Sequence, residues 1–330
     1  MSEQYFYGHG KLLLSGEYFV LDGAKSIALP TKLGQKMHVK YRPSHNPKLY
    51  WKSYDVDNKC WLETSFELWR FGCLGKNKDA PEILKLQEIL LQARKQNIHF
   101  LRDDNDIYVE TVLEFPITWG LGSSSTLVYN VAQWAYVSPF ELQAKTFKGS
   151  GYDIACAQSM GPISYQVQSR GPHWETLNFA PPFKDKIYFV YLNEKQDTRA
   201  GIKKYNETEG LNKDKIIKDL NSITEKMLDA VDLKDFENQI FAHENIISKA
   251  LNLKRVFDTH FSDYWGAVKS LGAWGGDFVL VTSDKTEEET FDYFKKRGHE
   301  TIFTFDDLIL QSFQKYGDSV QEIENVTAPN

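Results

Sequence analysis

The stretch Asp106-Ile-Tyr-Val-Glu-Thr-Val-Leu-Glu114 is followed, after Pro116, by Gly120-Leu-Gly-Ser-Ser-Ser-Thr126. Apolar residues alternate with polar ones in the first segment, which predicts a β-strand. After the second segment the apolar residues take helical spacing, at Leu127, Val128, Val131, Ala132 and Ala135. The sequence therefore predicts a strand, a glycine-rich loop and a helix in direct succession.

This loop has the composition of an anion site. Glycines allow backbone N–H groups to turn toward a ligand, and the helix that follows adds free N–H groups and a partial positive charge. Phosphate binds readily at such a place. Ser123, Ser124 and Ser125 offer hydroxyls to the helix start, to phosphate or to Mg²⁺. An ordinary helix start after a glycine turn gives the same local pattern.

A second loop-to-helix junction reads Gly149-Ser150-Gly151-Tyr152-Asp153 and continues into small residues up to Ala157. A carboxylate in a first helical turn is favoured in its charged form, so we expect the pKa of Asp153 to fall. Such a permanent anion is suited to orient a hydroxyl or to pair with a lysine. The alternative is that Asp153 only caps the helix.

Two further segments contain the same chemistry. Gly272-Ala-Trp-Gly-Gly-Asp277 lies between a predicted helix and a predicted strand, and its glycines permit close approach to a ligand or to another loop. Gly10-Lys11 opens an apolar strand, where a lysine needs an anionic partner or must reach solvent along its stem. All four segments favour the binding of anions.

Composition excludes several classes of protein. The 330 residues have a formal charge of −6, so no general basic field attracts nucleic acid or anionic lipid. No run of about 18 apolar residues predicts a membrane span, and the start lacks the features of a signal peptide. We therefore expect a cytoplasmic protein without nucleic-acid or membrane partners.

Familiar catalytic and metal motifs are missing from the sequence. No GxxxxGK[ST], GxSxG or HExxH string occurs, the three Cys form no CxxC pair, and the eight His are dispersed. The glycine strings at Gly8 and Gly120 each lack the third glycine of a dinucleotide fingerprint. These absences argue against a Walker-type nucleotide site, a serine hydrolase and a metalloprotease.

The coarse pattern predicts a mixed α+β protein, because strands and helices interleave without a strict βαβ rhythm. A break at Ala180-Pro-Pro-Phe suggests two domains, 1–180 and 181–330. The last ten or so residues are expected to fray. Further predicted elements are a hairpin of strands around Asp22-Gly23, strands or loops over 36–75, helices at 81–97, 213–231, 235–251, 254–271 and 286–297, and strands at 162–168, 186–192, 277–282 and 301–305.

Taken in order, the four segments resemble the motifs of the GHMP kinase superfamily, which includes galactokinases, homoserine, mevalonate and phosphomevalonate kinases. Gly10–Gly23 is similar to the first motif, Pro116–Ser125 to the ATP-phosphate loop, Gly149–Asp153 to the segment with the active-site aspartate, and Lys269–Asp277 to the third motif. Each motif alone is weak, but their order spans most of the chain.

The resemblance implies a two-domain kinase fold, with an N-terminal α/β domain of ribosomal-protein-like topology and a C-terminal ferredoxin-like domain. It implies ATP and Mg²⁺ as cofactors. Asp153 would orient or deprotonate the acceptor hydroxyl, and Lys11 would pair with Asp153. Ser124 would be a metal ligand. Glu141, further along, would be either a second metal ligand or a solvated helix residue. The nucleotide would contact Gly120, Leu121, Gly122, Ser123, Ser124 and Ser125.

On the acceptor side, the resemblance implies contacts from Glu17, Tyr18, Ser150, Arg199, Gly275, Gly276 and Asp277. Details of the motifs are more similar to phosphomevalonate kinases than to mevalonate kinases, so the implied substrate is phosphomevalonate or mevalonate, an anionic alcohol or phosphate ester. Trp274 replaces a usual glycine, where its indole would narrow the nucleotide side or close the pocket. Alternatives are a non-catalytic ligand-binding protein and a diphosphomevalonate decarboxylase-like enzyme. Monomer and homodimer both remain open.

Overall fold

Two β-sheets with helices packed against them make up the described part of this computed structural model. The described residues are 2–75, 77–102, 104–194, 201, 205–208, 210–272, 274 and 277–311. Arg199, Gly275, Gly276 and the terminus expected to fray lie outside them. The first sheet has seven strands and the second has four.

The first sheet is organised around one long strand, β2, of 18 residues. The strand order is β4-β3-β5-β2-β6-β7, with β1 also paired to β2, and only the β3–β5 pair is parallel. Its strands are β1 (Glu3–Leu13), β2 (Ser26–Pro43), β3 (Lys48–Tyr54), β4 (Cys60–Glu67), β5 (Asn105–Leu113), β6 (Ile163–Gln168) and β7 (Gly171–Thr176).

Four helices pack against this sheet and enclose an apolar core. They are α1 (Pro81–Gln96), α2 (Ser123–Ala135), α3 (Pro139–Thr146) and α4 (Tyr152–Gln158). Val39 from the sheet, Leu86 from α1 and Val131 from α2 are at most 3% exposed in one cluster. Burying such apolar side chains contributes roughly 1.5–3 kcal/mol each, which holds α2 and α4 beside β1.

The second sheet is antiparallel throughout, in the order β11-β8-β10-β9. Its strands are β8 (Ile187–Tyr191), β9 (Val268–Ser270), β10 (Phe278–Thr282) and β11 (Ile302–Thr304). Its helices are α5 (Lys213–Leu228), α6 (Leu233–Leu251), α7 (Val256–His260), α8 (Glu287–Lys295) and α9 (Phe305–Leu308). With α5–α7 between β8 and β9 and α8 between β10 and β11, this half has the β-α-β-β-α-β arrangement of ferredoxin-like domains.

A shared apolar core joins the two sheets. Leu12 and Leu29 from the first sheet lie in one buried cluster with Phe189 and Phe236 from the second half. The predicted fold class, a mixed α+β protein, is confirmed. The domain boundary at residue 180 stays a prediction. No helix among the described residues is long and apolar enough to cross a membrane.

The predicted strand directly before Asp22-Gly23 is wrong, although β1 and β2 on either side of this segment do pair antiparallel. Residues Phe19–Asp22 form a short 3-10 helix, in which the consecutive residues Phe19 and Val20 are both buried. The segment begins and ends at glycines with positive φ, Gly16 at 81° and Gly23 at 91°. Because Val20 N–H donates to Gly16 O at 2.8 Å and Ala24 N–H to Phe19 O at 3.0 Å, the backbone is satisfied by local turns rather than by a strand partner.

The predicted helix over 254–271 is also wrong in most of its length. Only Val256–His260 is helical, and Val268–Ser270 forms the edge strand beside β10. The helical spacing of Phe261, Tyr264 and Trp265 reflects packing of their rings against α8 rather than a continuous helix. The remaining predicted strands and helices are confirmed to within a few residues at their ends.

Candidate active site

The loop between β5 and α2 is held in a conformation that requires glycine. Gly120 and Gly122 have φ of 65° and 92°, values that side-chain-bearing residues rarely adopt. Gly122 is the N-cap of α2, and no side chain caps this helix end. The first amides of α2 are therefore left for an external acceptor, as an anion site requires.

Contacts to β1 and β2 fix this loop in place. Lys11 N–H donates to Leu121 O at 2.9 Å, and Leu121 itself is buried. The Thr126 hydroxyl donates to Gln35 Oε1 at 2.9 Å, and Asn130 Nδ2 donates to Gln35 O at 2.9 Å. Sequence reasoning missed Gln35 and Asn130, because no motif identifies two buried amides far apart in the chain.

The three serines of the loop have different environments. Ser124 is exposed and Ser123 is half-buried, so both reach the surface at the helix start. Ser125 is buried, and its hydroxyl donates to Gly122 O at 2.8 Å. The hydroxyl of Ser125 is therefore used inside the loop, and its contact with a nucleotide stays a prediction.

Lys11 lies at the centre of the site. Its Nζ donates to Gly120 O at 2.7 Å and is 5.8 Å from the ring centroid of Tyr152. Burial lowers the pKa of Lys11, while the nearby Asp153 and Asp277 carboxylates act in the opposite direction. The predicted pairing of Lys11 with Asp153 is thus a Coulombic interaction across the site, without a direct ion pair.

Asp153 lies in the first turn of α4, which starts from Gly151 at φ of 91°. Burial raises the pKa of Asp153, although hydrogen bonds from Gln143 and the charge of Lys11 lower it. The predicted fall in this pKa is wrong because desolvation of the carboxylate outweighs the helix start. A raised pKa makes Asp153 a better proton acceptor than an ordinary aspartate.

The third glycine-rich segment closes onto the first loop. A Cβ placed on Gly120 would lie 2.1 Å from Asp277 Oδ2, so only glycine allows the buried Asp277 to approach. A Cβ on Gly272 would lie 4.0 Å from Lys11 Nζ. All four glycine-containing segments therefore meet around Lys11.

Comparison with known proteins identifies the fold in which this site lies. A scan against protein-family models finds no match, and neither does a search of curated proteins. Among solved structures, the chain is similar to L. major mevalonate kinase in complex with R-mevalonate, with 14% identity, a TM-score of 0.65, and coverage of 94% of this chain and 96% of that one.

Two other solved structures are similar over nearly their whole length. Streptococcus pneumoniae phosphomevalonate kinase, in complex with phosphomevalonate and AMPPNP, has 15% identity and a TM-score of 0.63, with 91% of this chain and 99% of that chain covered. Lactococcus lactis galactokinase, complexed with galactose, has 12% identity and a TM-score of 0.67, with 94% of each chain covered. The chain has the GHMP kinase fold.

Within this GHMP kinase fold, two residues predicted on the acceptor side contribute structural contacts. The Ser150 carbonyl accepts a hydrogen bond from the Tyr165 hydroxyl. Tyr18, at φ of 61°, accepts from Trp274 N–H at 3.3 Å and stacks on Tyr205. Tyr18 is only 8% exposed, which leaves a small part of it for a ligand.

Trp274 does not narrow the nucleotide side of the GHMP kinase fold, contrary to expectation. Its indole is 7% exposed and packs in an apolar cluster with Tyr18 and Phe19. The indole N–H donates to Lys254 O at 2.9 Å. This side chain therefore belongs to the core beneath the third segment rather than to the open face of the phosphate loop.

Glu17, predicted as an acceptor contact, has a side chain that is fully buried and bonded within the fold. Glu17 Oε1 accepts from Lys269 Nζ at 2.5 Å, and Oε2 is 3.1 Å from His243 Nε2. Glu244 is a third member, 3.5 Å from the same ammonium. We call Glu17, Lys269, His243 and Glu244 the buried ion cluster.

Glu141, the candidate second metal ligand, has the environment expected of the alternative, a solvated helix residue. It is exposed and forms an ion pair with Lys145 at 2.5 Å. Glu141 lies two positions before Gln143 on α3, which puts the two side chains on different sides of the helix. Since Gln143 contacts Asp153, Glu141 faces away from the site.

The residues at the loop fit a nucleotide with Mg²⁺. Among the described residues, no group of three or more His, Cys, Asp or Glu forms a metal cage. Mg²⁺ in kinases is held largely by phosphate oxygens and water, with only one or two protein ligands. The exposed hydroxyl of Ser124 is an oxygen donor of that kind.

Proposed function

We propose that this protein is an ATP- and Mg²⁺-dependent kinase that phosphorylates a small anionic alcohol or phosphate ester, with phosphomevalonate or mevalonate as the acceptor. The observation that carries the proposal is the convergence of the uncapped Gly120–Ser124 loop, Lys11 and Asp153. The GHMP kinase fold supports it, since similar structures contain mevalonate, phosphomevalonate or AMPPNP. We place its activity in the cytoplasm, as a monomer or homodimer.

Phosphoryl transfer needs positioning and charge neutralisation more than covalent chemistry. The amides at Gly122, Ser123 and Ser124 receive the nucleotide phosphates at the positive end of α2. Lys11, fixed by its hydrogen bond to Gly120 O, presents a positive charge between this loop and Asp153. It stabilises negative charge on the transferred group.

Asp153 has the chemistry to accept the acceptor's hydroxyl proton. Its carboxylate is half-buried and its pKa is raised by burial, which increases its basicity toward an alcohol in the transition state. Ser124 would hold Mg²⁺, which neutralises phosphate charge when bound. The acceptor is proposed to lie on the side of Tyr18, Ser150 and Asp277, with Arg199, Gly275 and Gly276 completing it.

The test is ADP release with Mg-ATP across a panel of phosphomevalonate, mevalonate, homoserine and galactose. We expect turnover with one of the first two and none with galactose. Turnover with galactose alone would support a kinase but contradict the proposed acceptor. Nucleotide binding by calorimetry without turnover on any acceptor would favour a non-catalytic ligand-binding protein, and carbon dioxide release from diphosphomevalonate would favour a decarboxylase.

A further inference from the structure

Gln143 contacts Asp153 more closely than any other side chain for which a hydrogen bond is described. Its Nε2 donates to Oδ1 and to Oδ2, both at 2.8 Å. Gln143 is 5% exposed, so water does not compete for this amide. No sequence motif marks Gln143, which lies ten positions before the aspartate on a different helix.

The backbone of Gln143 is as constrained as its side chain. Helix α3 starts at Pro139 after Ser138, whose hydroxyl caps Glu141 N–H at 3.3 Å. At the other end, Gln143 O accepts from Phe147 N–H at 2.8 Å and from Lys148 N–H at 3.0 Å. Gln143 therefore contacts the chain on both sides of Gly149–Gly151, through its carbonyl before the glycines and through its side chain at Asp153 after them. The two glycines have φ of 104° and 91°.

An amide N–H that donates to a carboxylate favours its charged form and fixes its orientation. Burial raises the pKa of Asp153, and the Gln143 hydrogen bonds oppose that rise, together with the charge of Lys11 on β1. The other titratable groups that interact with this carboxylate are Tyr152 and Cys156 on its own helix and Tyr165 on β6. Gln143 is the one neutral side chain among them that donates to both oxygens.

We propose that Gln143 is a positioning residue for Asp153 and that its amide holds the carboxylate in one orientation toward the acceptor hydroxyl. The inference rests on the proposed kinase function. Because the described side-chain hydrogen bonds of Gln143 go to Asp153, we expect no direct effect on nucleotide binding.

The kinetic test compares Gln143→Met, which removes the donor, with Gln143→Glu, which keeps the size and replaces the donor by an acceptor. We expect kcat to fall roughly tenfold or more in both, with KM for ATP within about twofold. Losing the donor raises the pKa of Asp153, so the acidic limb of the kcat–pH profile moves to higher pH. The shift is expected to be larger for Gln143→Glu, because a second carboxylate then faces Asp153.

Gln166→Met is the matched control, since it removes a similar side-chain bond, to Gly23 O at 2.9 Å, outside the site. We expect no shift of its pH profile. In an Asp153→Asn background, Gln143→Met is expected to have little further effect on kcat, because the two residues act as one unit. An unmoved pH limb in both Gln143 variants, or full additivity with Asp153→Asn, would overturn the proposal.

A readout without turnover separates this inference from the kinase proposal. With ¹³C-labelled aspartate carboxyls, the Asp153 resonance is the one lost in Asp153→Asn, and its titration is followed in wild type and in both variants. If the wild type shows no turnover on any acceptor, the kinase proposal fails. An Asp153 titration that moves to higher pH in the two variants would still support the role of Gln143. An unchanged Asp153 titration in both variants would overturn that role, whatever the kinetics show.

Discussion

The active-site charges and the buried ion cluster differ in how their members are arranged, although the first motif supplies one residue to each. Lys11 and Asp153 are half-buried and interact across a gap, with Lys11 bonded instead to a backbone carbonyl. Glu17 and Lys269 are fully buried and in direct contact at 2.5 Å. Lys11 is thus available to a ligand, whereas Glu17, six residues later in the chain, is fully engaged in contacts within the fold.

The difference arises because the two arrangements offset the free-energy cost of desolvation to different extents. A buried pair in direct contact offsets much of its own desolvation and serves to join elements, here the Glu17 segment to β9 and α6. Charges kept apart retain unfavourable desolvation, which shifts their pKa values toward reactivity. Burial keeps the pKa of His243 well below its usual value, so this imidazole is neutral and accepts from Gly16 N–H at 3.0 Å.

Lys269→Met is expected to give the largest effect on stability. It leaves Glu17 buried without its ammonium partner, and breaking a buried pair from one side costs roughly 3–5 kcal/mol. Urea unfolding measures this change in the free energy of unfolding. The surface variant Lys145→Met, which removes the exposed pair with Glu141, is expected to cost less than about 1 kcal/mol. Equal costs would show that the buried ion cluster is not a structural tie.

Asp153→Asn is expected to give the largest effect on activity. It removes the proton acceptor while keeping the shape, so kcat should fall at least ~10²-fold. The free energy of unfolding should stay equal or rise, because a neutral amide is less costly to bury than a carboxylate. The measurements are single-turnover kinetics and urea unfolding. A small loss of kcat would remove the role assigned to Asp153.

Glu244→Gln is expected to change the pH dependence of stability. Burial raises the pKa of Glu244 from 4.5 to about 8, opposed by Lys269 and reinforced by Glu17. The unfolded chain therefore loses this proton before the folded protein does, and the contribution to stability declines as the pH rises from 4.5 to about 8. The stability of the variant minus that of wild type should therefore be larger at about pH 9 than at about pH 5.

Thermal unfolding at the two pH values gives that comparison. The stabilisation by Glu244→Gln should grow with pH, since the variant has no proton to lose. A constant difference in melting temperature between the variant and wild type would show that Glu244 titrates normally in the folded protein.

Glu141→Gln is expected to give the smallest effect. Glu141 is exposed, paired with Lys145 and directed away from Asp153, so kcat and the Mg²⁺ dependence of the rate should change by less than about twofold. Titration of activity with Mg²⁺ measures both. A weaker Mg²⁺ dependence in this variant would restore Glu141 as a metal ligand and contradict its placement on the outer side of α3.

Local pattern was sufficient for the parts of the site that a loop and one helix start define. The glycines at 120 and 122 were recognisable because positive φ and close approach both require glycine. The burial of Ser125 and Glu17 could not be predicted, because a one-dimensional pattern does not tell whether a polar side chain faces outward or inward. Gln143 was missed, because its meaning depends on an aspartate on another helix.

The sequence by itself determined the α+β class, most strands and helices, and the four glycine-containing segments, since hydrophobic period and glycine placement are local properties. Only the tertiary structure decided which charges are paired and which are left for a ligand. Burial and distance set the balance between desolvation and Coulomb attraction, and both depend on residues far apart in the chain, such as Glu17 and Lys269 or Gln143 and Asp153.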